Sequence, residues 1–185
     1  MLKLESEHFN LRSLEPDDAQ LDWGQWLADP ATAAALNSVP RNLSVGERRQ
    51  FISHIDNKTS YLLGIFEKLS GRLVGMWAIY VDLAEREYLL NVLVGPGDGR
   101  NQGALTETRE PIYRHFFNEL GMNAARINVM ANNTYVLGRL KKQPWTLEHK
   151  SRSQQPGSVE PTEVCHLRMS KQAWNDFHAK QVTPP

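Results

Sequence analysis

The hydrophobic and polar positions along the chain alternate between the two-residue period of strands and the longer period of helices. Residues 8–14 (HFNLRSL) alternate and predict a first strand. Residues 15–30, with acids near the start and a proline at the end, predict a helix. Ser44 and Glu47 have the spacing of a capping box, which predicts a second helix from there to about Asn57. The pattern therefore predicts a strand followed by two helices.

A run of strands fills the middle of the chain. Residues 61–67 and 73–83, separated by the turn KLSGR, predict a β-hairpin. Residues 87–94 (EYLLNVLV) predict another strand, and an amphipathic segment ending near Leu120 predicts the next helix. Between that strand and that helix lies a loop with four glycines: Gly95, Gly97, Gly99 and Gly103.

The last third of the chain mixes strands and helices. The predicted strands are 124–131, 145–152 and 163–170, and the predicted helices are 132–142 and 171–177. A loop rich in Ser, Gln, Pro and Gly joins the last two strands. The order is a strand, two helices, a run of strands and then alternating strands and helices. It predicts one α/β domain over residues 1–185, with a mixed sheet.

Composition and charge exclude several classes of function. The 185 residues are 41% hydrophobic and 23% charged, and 21 basic residues balance 21 acidic ones. The bulk charge thus gives no reason to expect a nucleic-acid or membrane partner. Cys165 is the only cysteine, which excludes an internal disulfide and favours a reducing compartment. The start lacks the apolar core of a signal peptide, so the sequence predicts a cytoplasmic protein.

The glycine loop is the strongest candidate for chemistry. Glycines between a strand and a helix permit positive φ or a close approach, and a helix N-terminus binds anions. Known nucleotide signatures do not fit, because Ala104 and Leu105 stand where a P-loop has Lys-Ser/Thr. The spacing of Gly97, Gly99 and Gly103 also differs from G-x-G-x-x-G. Taken alone, the loop is better explained as a structural turn.

The residues around the loop change that interpretation. RNQGAL, residues 100–105, resembles the acyl-CoA pyrophosphate loop of the GNAT superfamily of N-acyltransferases, whose pattern is Gln/Arg-x-x-Gly-x-Gly/Ala. Arg100 and Gly103 match, whereas Leu105 replaces the final small residue. LLNVLVGP resembles the family's fourth strand, and residues 121–145 resemble its next strand and helix, with Asn133 at the usual asparagine position. LRSLEPDDAQ and GRLVGMWAIY resemble early elements of the branch that acetylates protein N-termini and small amines.

This resemblance implies a fold, an activity and a cosubstrate. The fold would be α/β, a single-domain GNAT-like fold with a central mixed β-sheet flanked by helices. The activity would be acetyl transfer from acetyl-CoA to a primary amine, a protein N-terminus or a small amine, by direct attack. Backbone groups of the fourth strand and of the loop would bind CoA, with added charge from Arg100. The implied CoA-binding residues are Leu93, Val94, Arg100, Asn101, Gln102, Gly103, Ala104, Leu105, Thr106 and Asn133.

Catalysis requires a neutral amine to attack the thioester. A lysine-type amine with a pKa of about 10.4 is mostly protonated at neutral pH, so a general base or a water chain would help. Glu87, Tyr88 and Asn91 are the candidates for a general base or water chain. Tyr88 stands where the family commonly has a carboxylate. Glu87 is better explained as a solvated strand end than as a base, because an unpaired glutamate is usually exposed. The tyrosine that often protonates the leaving thiolate in this family corresponds to Leu140, which cannot donate a proton.

Several alternatives stay open in the sequence. Pro111 either kinks the predicted helix or moves its start to near Thr108. Trp23 and Trp26 either wall an acceptor pocket or pack in the core. The alternative function is a non-catalytic CoA-sensing or protein-binding module on the same fold, favoured by the departures at residues 88, 105 and 140.

The sequence also predicts partners and metal content. The six histidines form no metal-ligand spacing, so no metal is assigned. The resemblance implies an acyl-CoA, an amine acceptor and a homodimer that pairs through the first helix or the late strand pair.

Overall fold

The structure is a computed structural model that describes residues 1–36, 38–95, 100–154 and 161–182. The strands are β1 (Lys3–Glu5), β2 (Phe9–Ser13), β3 (Ser60–Glu67), β4 (Leu73–Asp82), β5 (Glu87–Val94), β6 (Ala124–Met130), β7 (Thr146–Ser153) and β8 (Thr162–Ser170). The α-helices are α1 (Pro30–Ala35), α2 (Val45–Ser53), α3 (Arg100–Arg114), α4 (Thr134–Leu140) and α5 (Lys171–Val182). No helix within these ranges is long and apolar enough to cross a bilayer.

All eight strands form one sheet in the order β1-β2-β3-β4-β5-β6-β8-β7. Neighbouring strands are antiparallel except β5 and β6, which are parallel. The predicted central mixed sheet flanked by helices is therefore confirmed. Strand β1 was not predicted, because three residues are too short to display an alternating pattern.

The single helix predicted over residues 15–30 is wrong. Two 3₁₀ helices, Pro16–Gln20 and Asp22–Ala28, occupy most of that segment, separated at Leu21 by extended backbone with ψ near 148°. Pro30 begins α1 rather than ending a helix, because the Asp29 carboxylate accepts the Thr32 N–H at 2.8 Å as an N-cap.

The capping box of the second predicted helix is confirmed. The Ser44 hydroxyl accepts the Glu47 N–H, and the Glu47 carboxylate accepts the Ser44 N–H. Helix α2 ends at Ser53, four residues before the predicted end.

Two hydrophobic cores lie on the two faces of the sheet. The larger one packs under α3 and contains Phe116, Phe117 and Tyr88. The smaller one packs under the 3₁₀ helices and α2, around Trp23 and Leu93. Because side chains alternate along a strand, the face of β5 that carries Leu93 also carries Glu87 and Asn91.

Helix α3 starts at Arg100 and continues through Pro111, so the alternative start near Thr108 is wrong. The helix then widens into a π turn over His115–Glu119, where the Leu120 N–H donates to the His115 carbonyl at 3.0 Å. Thr108 fixes the helix to the sheet, because its buried hydroxyl donates to the Ala104 carbonyl at 2.6 Å and accepts from Trp77 Nε1 at 3.0 Å.

Candidate active site

A cleft opens where β5 and β6 separate. Their pairing runs from Glu87–Ala124 to Leu90–Ile127 and then stops. Beyond that point lies a cavity of about 550 Å³, which is also lined by Thr32 of α1 and by Leu36, the C-cap of that helix. The cavity brings together predicted site residues from β5, α3 and α4: Asn91, Leu93, Val94, Leu105 and Asn133.

The backbone of β5 presents unpaired polar groups to this cleft. The Gly95 N–H donates to the Val74 carbonyl of β4 at 3.0 Å. Backbone groups alternate in direction along a strand, so Leu93 also faces β4, whereas Val92 and Val94 face β6. Since the ladder to β6 has stopped, Val92 and Val94 have no ladder partner within the described ranges. Val92 thus replaces Leu93 as the strand residue whose amide faces the cleft.

The first turns of α3 lie at the end of this cleft. Gly103 is exposed, and no described atom lies within 4 Å of the position that a Cβ would occupy there. Ala104 is buried and Leu105 lines the cleft. Gly97 and Gly99, and the side chains of Arg100, Asn101 and Gln102, lie outside the described part of the chain.

Arg139 of α4 is a residue that the sequence analysis missed. Its guanidinium donates from Nη2 to Thr106 Oγ1 and from Nη1 to Tyr135 Oη at 3.0 Å. It therefore adds a cation beside the second turn of α3. Among the described residues, no carboxylate lies within ion-pair distance of it. The sequence could not show that Arg139 lies beside α3, because Arg139 and Thr106 are 33 positions apart and meet only when α4 packs against α3.

Glu87 lies in an ion-pair cluster that joins three strands. Its Oε1 accepts from Arg168 Nε at 2.9 Å and Nη2 at 2.8 Å, and its Oε2 forms an ion pair with Arg126 Nε at 2.6 Å. Glu148 lies 3.8 Å from each arginine, and the Glu87 side chain is only 12% exposed. Two charge-assisted hydrogen bonds and a close ion pair occupy the carboxylate that was considered as a base. The geometry instead fits a clamp between β5, β6 and β8.

Replacing Glu87 with glutamine tests this role. We expect the free energy of unfolding to fall by about 1–2 kcal/mol, because two arginines lose their charged partner. We expect turnover per folded molecule to change less than about tenfold, well below the effect of a positioned base. Chemical denaturation and initial rates provide the two measurements.

The control is Glu163→Gln, which removes the exposed pair with Lys150 and should leave the free energy of unfolding almost unchanged. A rate loss of about 10²-fold or more in Glu87→Gln, with unchanged stability, would identify Glu87 as the base after all.

Tyr88 lies on the other face of the sheet. It is 1% exposed and stacks on Phe116 with ring centroids 4.7 Å apart. Burial raises the pKa of its phenol well above the usual value. The structure thus separates Tyr88 from Glu87 and Asn91, and the three predicted catalytic residues do not form one group.

The remaining predicted positions have structural partners. Asn133 is the N-cap of α4, since its Oδ1 accepts the Val136 N–H at 3.2 Å. Leu140 is 4% exposed and belongs to the larger core. Trp23 is buried in the smaller core, as the core interpretation predicted, whereas Trp26 is half-buried and lies against Gly95.

Gly95 allows this close approach. A Cβ there would lie 2.6 Å from the Trp26 ring, so residue 95 has no room for a side chain. The first glycine after β5 therefore serves packing between the sheet and the second 3₁₀ helix.

A second cavity of about 560 Å³ lies on the same face, over β4, β5, β6 and β7. Four carboxylates line it, those of Asp82, Glu85, Glu87 and Glu148, together with Arg126. Asn128 and His166 are the described residues that line both cavities. Within the ranges that the structure describes, no group of three His, Cys, Asp or Glu side chains could hold a metal ion.

Comparisons with known proteins agree with this architecture. An acetyltransferase of the GNAT family from Bacillus anthracis superposes with a TM-score of 0.76 at 14% identity. The match covers 92% of this chain and 99% of that one. Spermidine N-acetyltransferase from Vibrio cholerae, solved with CoA and spermine, superposes with a TM-score of 0.75 at 14% identity, covering 91% and 98%. A search of the curated proteins finds no match.

The sequence itself carries the family assignment. A family model described as the acetyltransferase (GNAT) domain matches residues 8–142, well over half of the chain. That match includes strands β2 to β6, helix α3 and all of α4, and therefore the whole of the cleft's β5, α3 and α4 walls. The chain belongs to the GNAT acetyltransferase family and is an acetyl-CoA-dependent acyltransferase.

Proposed function

We propose that this enzyme transfers an acetyl group from acetyl-CoA to a primary amine by direct attack of the amine on the thioester. The observation that carries the proposal is the cleft between β5 and β6, which ends at the N-terminus of α3. An extended pantetheine arm would pair with the free backbone groups of Val92 and Val94. The pyrophosphate would bind the amides of Asn101 to Thr106, with charge from Arg100 and Arg139. Asn133 would line the same cleft.

The thioester carbonyl would be polarised by a backbone amide of β5. The Val92 N–H faces the cleft beside Asn91, and an amide fixed in a strand needs no reorganisation to stabilise developing negative charge. The first two parts of the proposal, binding and polarisation, thus rest on backbone geometry rather than on particular side chains.

The second cavity is proposed as the acceptor site. Four carboxylates and the guanidinium of Arg126 line this cavity, and the guanidinium of Arg168 pairs with Glu87 beside it. The negative groups therefore outnumber the guanidiniums by two. Such a surface attracts an ammonium group. A protein N-terminus and a small amine, including a polyamine of the kind bound by the Vibrio enzyme, both present that group.

An acceptor screen tests the proposal. Purified protein with acetyl-CoA is offered α-amino amides, N-terminal peptides, alkyl diamines and polyamines. We expect thiol release that depends on the amine, with mass spectrometry showing acetyl on nitrogen. CoA binding without transfer to any amine would favour the alternative, a non-catalytic CoA-sensing module.

The leaving thiolate is expected to depart without a side-chain acid at residue 140. Leu140 is buried in the core, and a thiol pKa near 8.5 makes the thiolate a tolerable leaving group. At saturating amine, kcat should therefore show no falling limb up to about pH 10.5, where a tyrosine-like acid would lose its proton. The measurement is kcat between pH 6 and pH 10.5 for wild type and for Tyr135→Phe. A fall at high pH in the folded wild type, removed by Tyr135→Phe, would make Tyr135 the acid.

Homodimer formation stays a prediction. Strand β7 is an edge strand and is mostly exposed, which leaves it available for pairing. Charged side chains such as Lys150 and Arg152 on that strand oppose simple strand-to-strand pairing. Light scattering that finds only a monomer across concentrations would exclude the dimer.

A further inference from the structure

We propose that His166 of β8 is the proton acceptor for the attacking amine and that Ser151 of β7 relays the proton to it. This inference rests on the proposed function, because it assigns the base that amine acetylation needs. Nothing in the sequence pattern pointed to either residue, since they come from the last strand pair rather than from the strand beside the glycine loop.

Position is the first argument. Of the titratable side chains that line either cavity in the described part of the chain, His166 alone lines both the proposed CoA cleft and the proposed acceptor site. Its register partner on β6 is Asn128, and both residues share the sheet face of Asn91. The three form a polar row across the sheet at the place where the two cavities meet.

Hydrogen bonding is the second argument. Ser151 Oγ lies 2.7 Å from His166 Nε2, and Ser151 lines the CoA cleft. With the Nε2 lone pair accepting the Ser151 O–H, a proton that reaches Oγ can move on to the imidazole. The stack of His149 on His166, with centroids 4.2 Å apart and 9° between planes, fixes the ring orientation.

The competing base is occupied. The Glu87 carboxylate accepts two N–H groups of Arg168 and pairs with Arg126 Nε at 2.6 Å. Among the described residues, no arginine or lysine donates a hydrogen bond to the His166 ring. A neutral imidazole is therefore the available acceptor on this face.

The surroundings of His166 keep its imidazole neutral at physiological pH. Burial is the main cause that lowers the pKa of His166 below its usual value, and His149 of β7 and Arg126 of β6 lower it further. Glu148 of β7 opposes them, while Arg168 on the same strand is held by Glu87. A base with a lowered pKa is unprotonated at pH 7 and is protonated only as the pH falls below its ordinary value of about 6.5.

The proton balance is complete without another reactant. The ammonium gives one proton to Ser151 Oγ while the Ser151 proton moves to His166 Nε2. The free amine then forms a bond to the thioester carbon, and the carbon–sulfur bond breaks with its electron pair leaving on sulfur. The nitrogen gives its second proton to the thiolate, and the imidazolium returns its proton to water. The products are an amide, the free thiol and one proton.

The test compares kcat for wild type and His166→Gln with two acceptors of different basicity. Without the base, the proton of the bound ammonium has to leave to bulk water, and this step is slower for the more basic amine. At pH 7 we expect kcat to fall by on the order of 10²–10⁴-fold. The loss should be larger with an alkylamine of pKa about 10.4 than with an α-amine of pKa about 7.9. Both losses should shrink as the pH rises toward the pKa of the amine. Ser151→Ala, which keeps the imidazole, should show the same pattern with a smaller loss.

Matched controls separate this role from a structural one. CoA affinity by calorimetry should fall far less than kcat in His166→Gln, and the His166 ring proton in NMR should titrate below pH 6.5 in the wild type. An equal loss at every pH with both amines, or no loss, in a folded variant would overturn the assignment while leaving amine acetylation in place. A wild type that binds CoA and acetylates no amine would overturn the proposed function and the role of His166 together.

Discussion

Replacing Gly103 with glutamate is expected to weaken CoA binding by about 10- to 150-fold without unfolding the protein. A carboxylate there would stand where the pyrophosphate approaches the first turns of α3. The charge-assisted hydrogen bonds of such a site contribute about 1.5–3 kcal/mol each, so losing even one gives an effect of this size. The fold should survive, because the Cβ of residue 103 meets open space among the described atoms. Calorimetry with CoA measures the affinity, and thermal unfolding measures the fold.

Gly46→Glu is the matched control. Gly46 is also exposed in the first turn of a helix and also has room for a Cβ, but it belongs to α2, away from the cleft. It should keep CoA affinity. Equal affinity in the folded wild type and the folded Gly103→Glu variant would show that the pyrophosphate binds elsewhere.

Phe116→Ala is expected to cause the largest loss of stability, about 3–5 kcal/mol in the free energy of unfolding. Phe116 is fully buried, stacks on Tyr88 and meets Tyr61 edge-on at 5.2 Å. Removing the ring leaves a cavity that α3 and the sheet, both pinned by Thr108, can fill only in part. Urea unfolding of the two proteins provides the comparison.

Tyr88→Phe is the control from the same stack. The Tyr88 hydroxyl is buried and has no hydrogen-bond partner among the described residues, so its removal should change stability by less than about 1 kcal/mol. If Phe116→Ala lowered the free energy of unfolding no more than Tyr88→Phe does, the larger core would be able to repack around the missing ring and the expected loss of about 3–5 kcal/mol would be wrong.

Local patterns predicted much of the fold. The alternation in residues 8–14 and the capping box at Ser44 depend only on neighbours in the chain, and both were confirmed. The segment 15–30 was misjudged because its helical pattern hides an extended residue at Leu21 and an N-cap at Asp29. Whether a proline ends one helix or begins the next depends on that cap.

The candidate site was harder to predict. A resemblance identified the strand β5 and the start of α3, but the point where β5 and β6 separate depends on pairing between distant segments. That point decides that Val92 rather than Leu93 faces the cleft. Glu87 looked like a free strand end, because its partner Arg168 is 81 residues away. The polar row through His166 likewise exists only once β8 lies beside β6.

The early end of the β5–β6 ladder also has a kinetic consequence. A backbone amide in a ladder exchanges its hydrogen with solvent only when the structure opens, whereas an amide without a partner exchanges at once. The Val92 and Val94 amides lie in the middle of an eight-stranded sheet but have no ladder partner among the residues that the structure describes. They should therefore exchange far faster than their neighbours Leu90 and Leu93, and slow down when an extended chain fills the gap. The centre of a sheet is ordinarily its most protected region. In this protein, the exchange rates of two amides at the centre report whether the cleft is occupied.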